Sequence, residues 1–232
     1  MNLAPHRTKS VYAWSWRPGD GGATRGESGM KNQGNISCTC GACAFVLNDC
    51  APVMALLSAC EDCRQASQWA AKRGGAAFID IYYSVYCRSD FAEIVGRDNI
   101  HVTQIREDAK STRIYCKTCS ACLGIDHKNS YADNVSMFQP VNCRPEFDTD
   151  IAPSAVIGLI DYPGDTAPTP SAALPVFHTF RYPQERDRLF QINAVREAFS
   201  PPKTPAEGLT IRQLIESLPA IDVLDLEPGA AP

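Results

Sequence analysis

The sequence predicts a mainly β domain of antiparallel sheets, with one short internal helix and a helical extension after it. Three observations carry that reading. Between residues 36 and 182, short runs rich in β-branched and aromatic residues alternate with clusters of Gly, Pro, Asn and Asp, the pattern of strands joined by turns. Six cysteines fall in three close pairs, Cys38/Cys40, Cys60/Cys63 and Cys116/Cys119, a spacing at which a tight turn aims two thiols at one ion. Beyond residue 182 the apolar residues recur at helical rather than strand spacing.

Taken in order, residues 1–35 read as a flexible arm, rich in Gly, Arg and Ser, in which Trp14 and Trp16 stand out as candidates to dock on the domain or a partner. Residues 36–182 form the domain itself. Its predicted strands are Ala42 to Leu47, Val53 to Ala59, Phe78 to Tyr86, Ile100 to Ile105, Thr112 to Tyr115, Val135 to Gln139 and Ala155 to Ile160. A single helix is expected over Glu61 to Lys72, with Ala66, Trp69 and Ala70 on one stripe and Gly74-Gly75 ending it. Residues 183–232 form the helical extension. Gln184 to Phe199 places Leu189, Ile192, Val195 and Phe199 on one face, and Pro201-Pro202 stops it. Leu209 to Leu218 follows, with Thr210 as its N-cap. These faces need cover, by packing back on the domain or by forming a homodimer.

Composition narrows the class. A chain of 232 residues, 44% of them hydrophobic, can bury one sizeable core. Its net charge of −4 argues against a nucleic-acid groove lined by basic residues. No apolar run reaches the roughly 18 residues that cross a bilayer, so no membrane partner is expected. Eleven cysteines, an odd number with several too close to pair locally, do not read as a disulfide scaffold. Residues 1–35 lack the hydrophobic stretch of a secretory leader, although the acid-free start weakly resembles an organelle transit segment. A reducing cytoplasmic compartment, with thiolates on metal, is the expectation.

Four thiolates from two pairs make a closed tetrahedral zinc site, and fewer leave a position open. Three pairs exceed the needs of one ion, so one closed and one incomplete centre are expected. The closed centre joins Cys38 and Cys40 to Cys116 and Cys119, tying the start of the sheet to a late hairpin. The competing reading is four free cysteines packed as small apolar residues. Cys60 and Cys63 form the second pair, with Cys63 in the first helical turn, where unpaired N–H groups favour a thiolate. A redox-active or inert pair is the alternative there. Cys43, beside Phe45, reads as core; Cys122 is the candidate supplementary ligand; Cys50, Cys87 and Cys143 are scattered. His6, His101, His127 and His178 have no metal spacing, and His178 reads as structural.

Several stretches together resemble the glutathione-dependent formaldehyde-activating enzyme and centromere-protein-V-like family. Cys38-Thr-Cys40-Gly41-Ala-Cys43-Ala-Phe45 is similar to its opening C-x-C-G-x-V-x-F, and Ser58-Ala-Cys60-Glu-Asp-Cys63-Arg64-Gln-Ala66-Ser67 to its C-x-C-x-x-C-R-x-A-S. Arg113-Ile-Tyr115-Cys116-Lys-Thr-Cys119-Ser120 resembles R-x-F-C-x-x-C-G. Gly158-Leu-Ile-Asp161-Tyr-Pro163 and Pro175-Val-Phe-His178-Thr-Phe180 resemble two later segments, so the likeness runs in order from about residue 36 to 182. The resemblance implies a β-tent fold with two zinc ions. Cys38, Cys40, Cys116 and Cys119 would hold a structural ion, and positions 58, 60 and 63 a second, three-coordinate ion open to a thiol such as glutathione. The reaction class implied is a carbon–sulfur lyase acting on a glutathione-like thiol adduct or small carbonyl compound. Three positions depart from the pattern: Ser58 stands for a cysteine, Ser120 for a glycine, and Gln68 for a glycine. Ser58 opens the alternative of a zinc-stapled binding module that has lost the second, catalytic ion.

Overall fold

The computed structural model of the chain describes residues 32–162, 174–179 and 182–227. Trp14 and Trp16, most of the expected arm, Pro163, Phe180 and residues 228–232 lie outside them. Within the described residues the protein is mainly β, and its strands form two sheets.

The smaller sheet holds β1 (Gly34–Ser37), β2 (Ala44–Leu47), β5 (Phe91–Val95) and β10 (Arg144–Pro145), in the order β10-β1-β2-β5. The larger comprises β3 (Met54–Ser58), β4 (Tyr82–Arg88), β6 (Ile100–Gln104), β7 (Ser111–Cys116), β8 (Cys122–His127), β9 (Val135–Phe138), β11 (Val156–Ile157), β12 (Val176–Phe177) and β13 (Asp222–Val223). Its order is β12-β11-β3-β4-β9-β8-β7-β6-β13. The helices are α1 (Glu61–Ala71), α2 (Pro183–Leu189), α3 (Asn193–Phe199) and α4 (Ile211–Glu216).

Strand alternation sorts the core into two layers, because successive side chains leave a strand on opposite faces. On one face of the larger sheet Val85, Cys87, Ile114, Cys116, Leu123 and Phe138 meet Ile36, Phe45 and Leu47 of the smaller sheet. On the other, Met54, Leu56, Tyr86, Tyr115, Ile125 and Met137 lie under Ala70 of α1 and Leu189, Val195 and Ala198 of α2 and α3. Ile211 and Leu214 of α4 join the first layer. Packing back on the domain is therefore how the extension's apolar faces are covered.

The structure corrects several sequence expectations. The sheets are not wholly antiparallel: β11 runs parallel to both β3 and β12, and β13 runs parallel to β6. β1 begins inside the segment read as an arm. The strand expected over Phe78 to Tyr86 starts only at Tyr82. That expected over Ala155 to Ile160 is cut short because Gly158 takes φ +75 and the chain turns into a 3-10 segment, Leu159–Asp161. The helix expected over Gln184 to Phe199 is two, separated by a bend at which Ile192 is extended, φ −70 and ψ 121. The bend brings Leu189 and Val195 onto the same apolar layer, whereas side chains six residues apart would point about 120° apart around one straight helix. Thr210 does cap α4: its hydroxyl accepts from the Gln213 N–H while the Gln213 side chain accepts from the Thr210 N–H. No helix among the described residues is long and apolar enough to cross a membrane.

Candidate metal centre

Two tight turns face each other across the two sheets. In the first, between β1 and β2, the Gly41 N–H donates to the Cys38 carbonyl and the Cys43 N–H to the Cys38 sulfur, 3.3 Å away. Gly41 has φ +77, a left-handed conformation that glycine adopts without a Cβ clash. In the second, between β7 and β8, the Ser120 N–H donates to the Cys116 carbonyl and the Cys116 N–H to the Ala121 carbonyl. Here Ser120 occupies the left-handed position, φ 53, where glycine is the easier residue. Its hydroxyl donates to the Arg73 carbonyl at the end of α1, a contact that glycine cannot make.

These turns converge four sulfurs. Those of Cys38, Cys40, Cys116 and Cys119 all lie within 4.8 Å of one another. Cys38 and Cys40 are 3.5 Å apart, and Cys40 and Cys116 3.8 Å apart. A tetrahedron with metal–sulfur bonds of about 2.3 Å has sulfur–sulfur edges of about 3.8 Å, so the donor set and its spacing fit a four-thiolate metal site. None of the eleven cysteines is in a disulfide. Hydrogen bonds divide the acidity within the cluster. Burial raises the Cys119 thiol, but the Thr39 side chain, the Ala121 and Cys40 N–H groups and the Cys40 thiol outweigh it and bring it down to about 6. At exposed Cys40 the Ala42 N–H favours the thiolate, yet the Cys119, Cys38 and Cys116 sulfurs and desolvation push it up to about 12. Cys43 is fully buried in the apolar layer, as its place beside Phe45 implied. Among the described residues no other group of three or more His, Cys, Asp or Glu side chains converges in this way, so Cys122 supplies no further ligand to it.

The second pair lies on the opposite face of the larger sheet. β3 ends at Ser58, Cys60 is the N-cap of α1 and Cys63 sits in its first turn. The Ser58 hydroxyl donates to the Cys60 sulfur at 3.4 Å and is 3.7 Å from the Cys63 sulfur. The sequence thus brings positions 58, 60 and 63 together, but as two thiols and one hydroxyl. A hydrogen bond from Cys60 is the main reason the Cys63 thiol falls to about 6; desolvation opposes it, and buried Arg113 and Ser58 add to it. Cys60 is correspondingly raised, as the member of the pair that keeps its proton. Gly158 closes the back of the pair: a Cβ there would stand 2.8 Å from the Cys60 backbone and Cβ.

α1 links the two centres. Its first turn carries Cys63, and past its last turn Gly75 abuts the Ser120 carbonyl of the second cysteine turn. Trp69 lies between Arg73, whose guanidinium is 4.4 Å from its ring, and the tilted rings of Tyr115 and His101. The Tyr82 hydroxyl donates to Ser67. His178 is exposed, and its backbone N–H, not its ring, is engaged, by Glu185. Arg113 is the site residue that sequence reasoning used only as a motif letter. It is 2% exposed, in a strand whose every residue from Thr112 to Cys116 is buried, so no polar/apolar alternation marks it.

No protein-family model matches the chain, and no curated protein matches it.

Proposed function

We propose that this protein is a zinc-dependent enzyme of the carbon–sulfur lyase type acting on small thiol adducts. In this reading Cys38, Cys40, Cys116 and Cys119 hold a structural ion within a β-tent, and Cys60 and Cys63 hold a second ion with an open position beside Ser58. The observation that carries the reading is the convergence of Ser58, Cys60 and Cys63 at the start of α1, with Cys63 already favoured as a thiolate. Soft thiolates with too few protein ligands suit an ion that a substrate thiol completes. When bound, zinc would lower a thiol's pKa and polarise a carbonyl oxygen. The residues themselves would hold the adduct's sulfur at Cys60 and Cys63 and shield it beneath α1. The bond at stake is carbon–sulfur: in a hemithioacetal it breaks as the hydroxyl proton leaves, sulfur takes the electron pair, and a thiol and a carbonyl compound result. Glutathione is the co-substrate that the family resemblance brings to this proposal, and the cytoplasm the compartment that the free thiols do.

One observation favours the second reading, a zinc-stapled binding module. The Ser58 hydroxyl already spans both sulfurs, so the pair is satisfied without an ion. Metal analysis separates the two. The enzyme reading expects zinc content between one and two per chain, rising to two in Ser58→Cys, with added glutathione then raising the melting temperature further by linkage. One zinc in both proteins and no response to glutathione would overturn it.

A further inference from the structure

Beneath the first turns of α1 lies a buried guanidinium whose donors are not used within the protein. Arg113 is 2% exposed, and both terminal nitrogens of its guanidinium lack a hydrogen-bond partner among the described residues. Thr103, its cross-strand neighbour on β6, is fully buried and its hydroxyl is likewise unpartnered. Buried guanidinium donors without hydrogen bonds are costly, so a site of this kind persists where something outside the chain satisfies them. The nearby carboxylate does not: Asp62 is engaged by Arg106, 2.6 Å away.

The location follows from two periodicities. The Tyr115 hydroxyl reaches the Ala66 carbonyl, at 3.4 Å, which fixes where β7 passes under α1. Arg113 is two residues from Tyr115, hence on the same face and about 7 Å along the strand. Cys63 is three residues from Ala66, hence roughly one helical turn, about 5 Å, along the helix. β6 gives the direction: His101, opposite Tyr115, meets Trp69, whereas Arg106, further along the chain past Thr103, meets Asp62, so both steps run toward the start of α1. Cys60, at the N-cap of α1, makes no side-chain cap, which leaves first-turn N–H groups facing the same end. A planar fork of donors, a free hydroxyl and a helix N-terminus suit a carboxylate.

We propose that Arg113 and Thr103 supply a carboxylate subsite of the Cys60/Cys63 cluster, so that the thiol handled here is a short mercapto acid. This rests on the thiol-adduct reading above for the sulfur end alone; the carboxylate end stands on Arg113.

Mercaptoacetate and 2-mercaptoethanol are near in size and differ in the carboxylate, and formate carries the carboxylate without sulfur. Each is titrated into the zinc-loaded full chain and into R113M and R113K, with calorimetry and thermal shift as readouts. R113M removes buried donors that have no hydrogen bond and keeps an apolar stem, so it folds; retention of the four-cysteine metal reports that it has, and R113K supplies the comparison if it has not. Mercaptoacetate should bind the parent about tenfold to a hundredfold more tightly than 2-mercaptoethanol, the worth of a charged hydrogen-bonded pair. The difference should vanish in R113M and shrink in R113K, which keeps charge without the fork. Equal binding of both thiols to parent and R113M would overturn the subsite and leave the thiol reading intact. Formate stabilising the parent but not R113M, with neither thiol binding, would uphold the subsite and remove the thiol reading. No response to any of the three probes would overturn the subsite.

Discussion

Replacing Cys40 by serine isolates the work of the four-cysteine centre. Cys40 is exposed, so the substitution opens no cavity and buries no new hydroxyl; what it removes is one of the four converging sulfurs. The centre joins segments that are far apart in the chain: the Cys40 and Cys116 sulfurs are 3.8 Å apart across 76 residues of sequence. A cross-link closing a loop of that length removes unfolded-chain entropy equivalent to about 4.5 kcal/mol at 25 °C. In a domain of this size each kcal/mol moves the melting temperature by about 2–4 °C, so Cys40→Ser should melt about 9–18 °C below the parent. Melting followed by circular dichroism, with zinc measured on the same samples, checks this. Stripping the parent with a chelator should bring its melting temperature down to that of the variant, and chelator should leave the variant nearly unchanged. If the variant melts within about 3 °C of a metal-replete parent, the four sulfurs do not staple the sheets and the entropy reasoning fails.

Two other positions give independent checks. Gly158→Ala should cost about 2–4 kcal/mol in urea unfolding, since it combines a left-handed backbone with an overlap against Cys60; an unchanged midpoint would mean that this wall of the second cluster yields freely. Burial raises the Asp126 carboxyl, and Arg212, 3.5 Å away, offsets this only in part. A raised folded-state pKa means that the folded protein holds the proton more tightly, so the group's contribution is present below the ordinary carboxyl value and lost as pH rises through the folded value. Asp126→Asn should therefore gain stability relative to the parent between pH 4 and pH 7, and a gain that shrinks with rising pH would refute the sign.

The convergence of the four cysteines was legible because close pairs announce themselves by spacing, and turn geometry needs only local sequence to aim two thiols. The short helix was legible for the same reason: Gly74, with φ +89, ends it where the sequence placed a stop. β8 escaped notice since it carries Gly124 and Asp126, both poor strand residues, held in place by pairing with β7. β5 likewise has Ala92 and Glu93 at its centre and is stabilised by its partner β2. The parallel strands β11 and β13 are two residues each, and their pairing partners lie far away in sequence, beyond the reach of any local pattern. Arg113 was legible as a residue and illegible as a buried charge. Burial on both faces of β7 is a property of what packs above and below it, α1 on one side and the smaller sheet on the other.

The pairing of β13 with β6 bears on how the chain comes to be folded during its synthesis. Asp222 pairs with Thr103, and the Leu224 and Leu226 N–H groups then donate to the Gln104 and Ile105 carbonyls. Arg106 and Gln65 hold the same segment through the Leu226 and Glu227 carbonyls. Until residues 222–227 have left the ribosome, the outer edge of β6 has unpaired backbone groups while the rest of the larger sheet can already form. A nascent chain in that state presents a ready edge to its neighbours on the same polysome, and long-range closure of this kind is slow compared with hairpin formation. Expression yield should thus respond to translation speed over the stretch between β9 and β13.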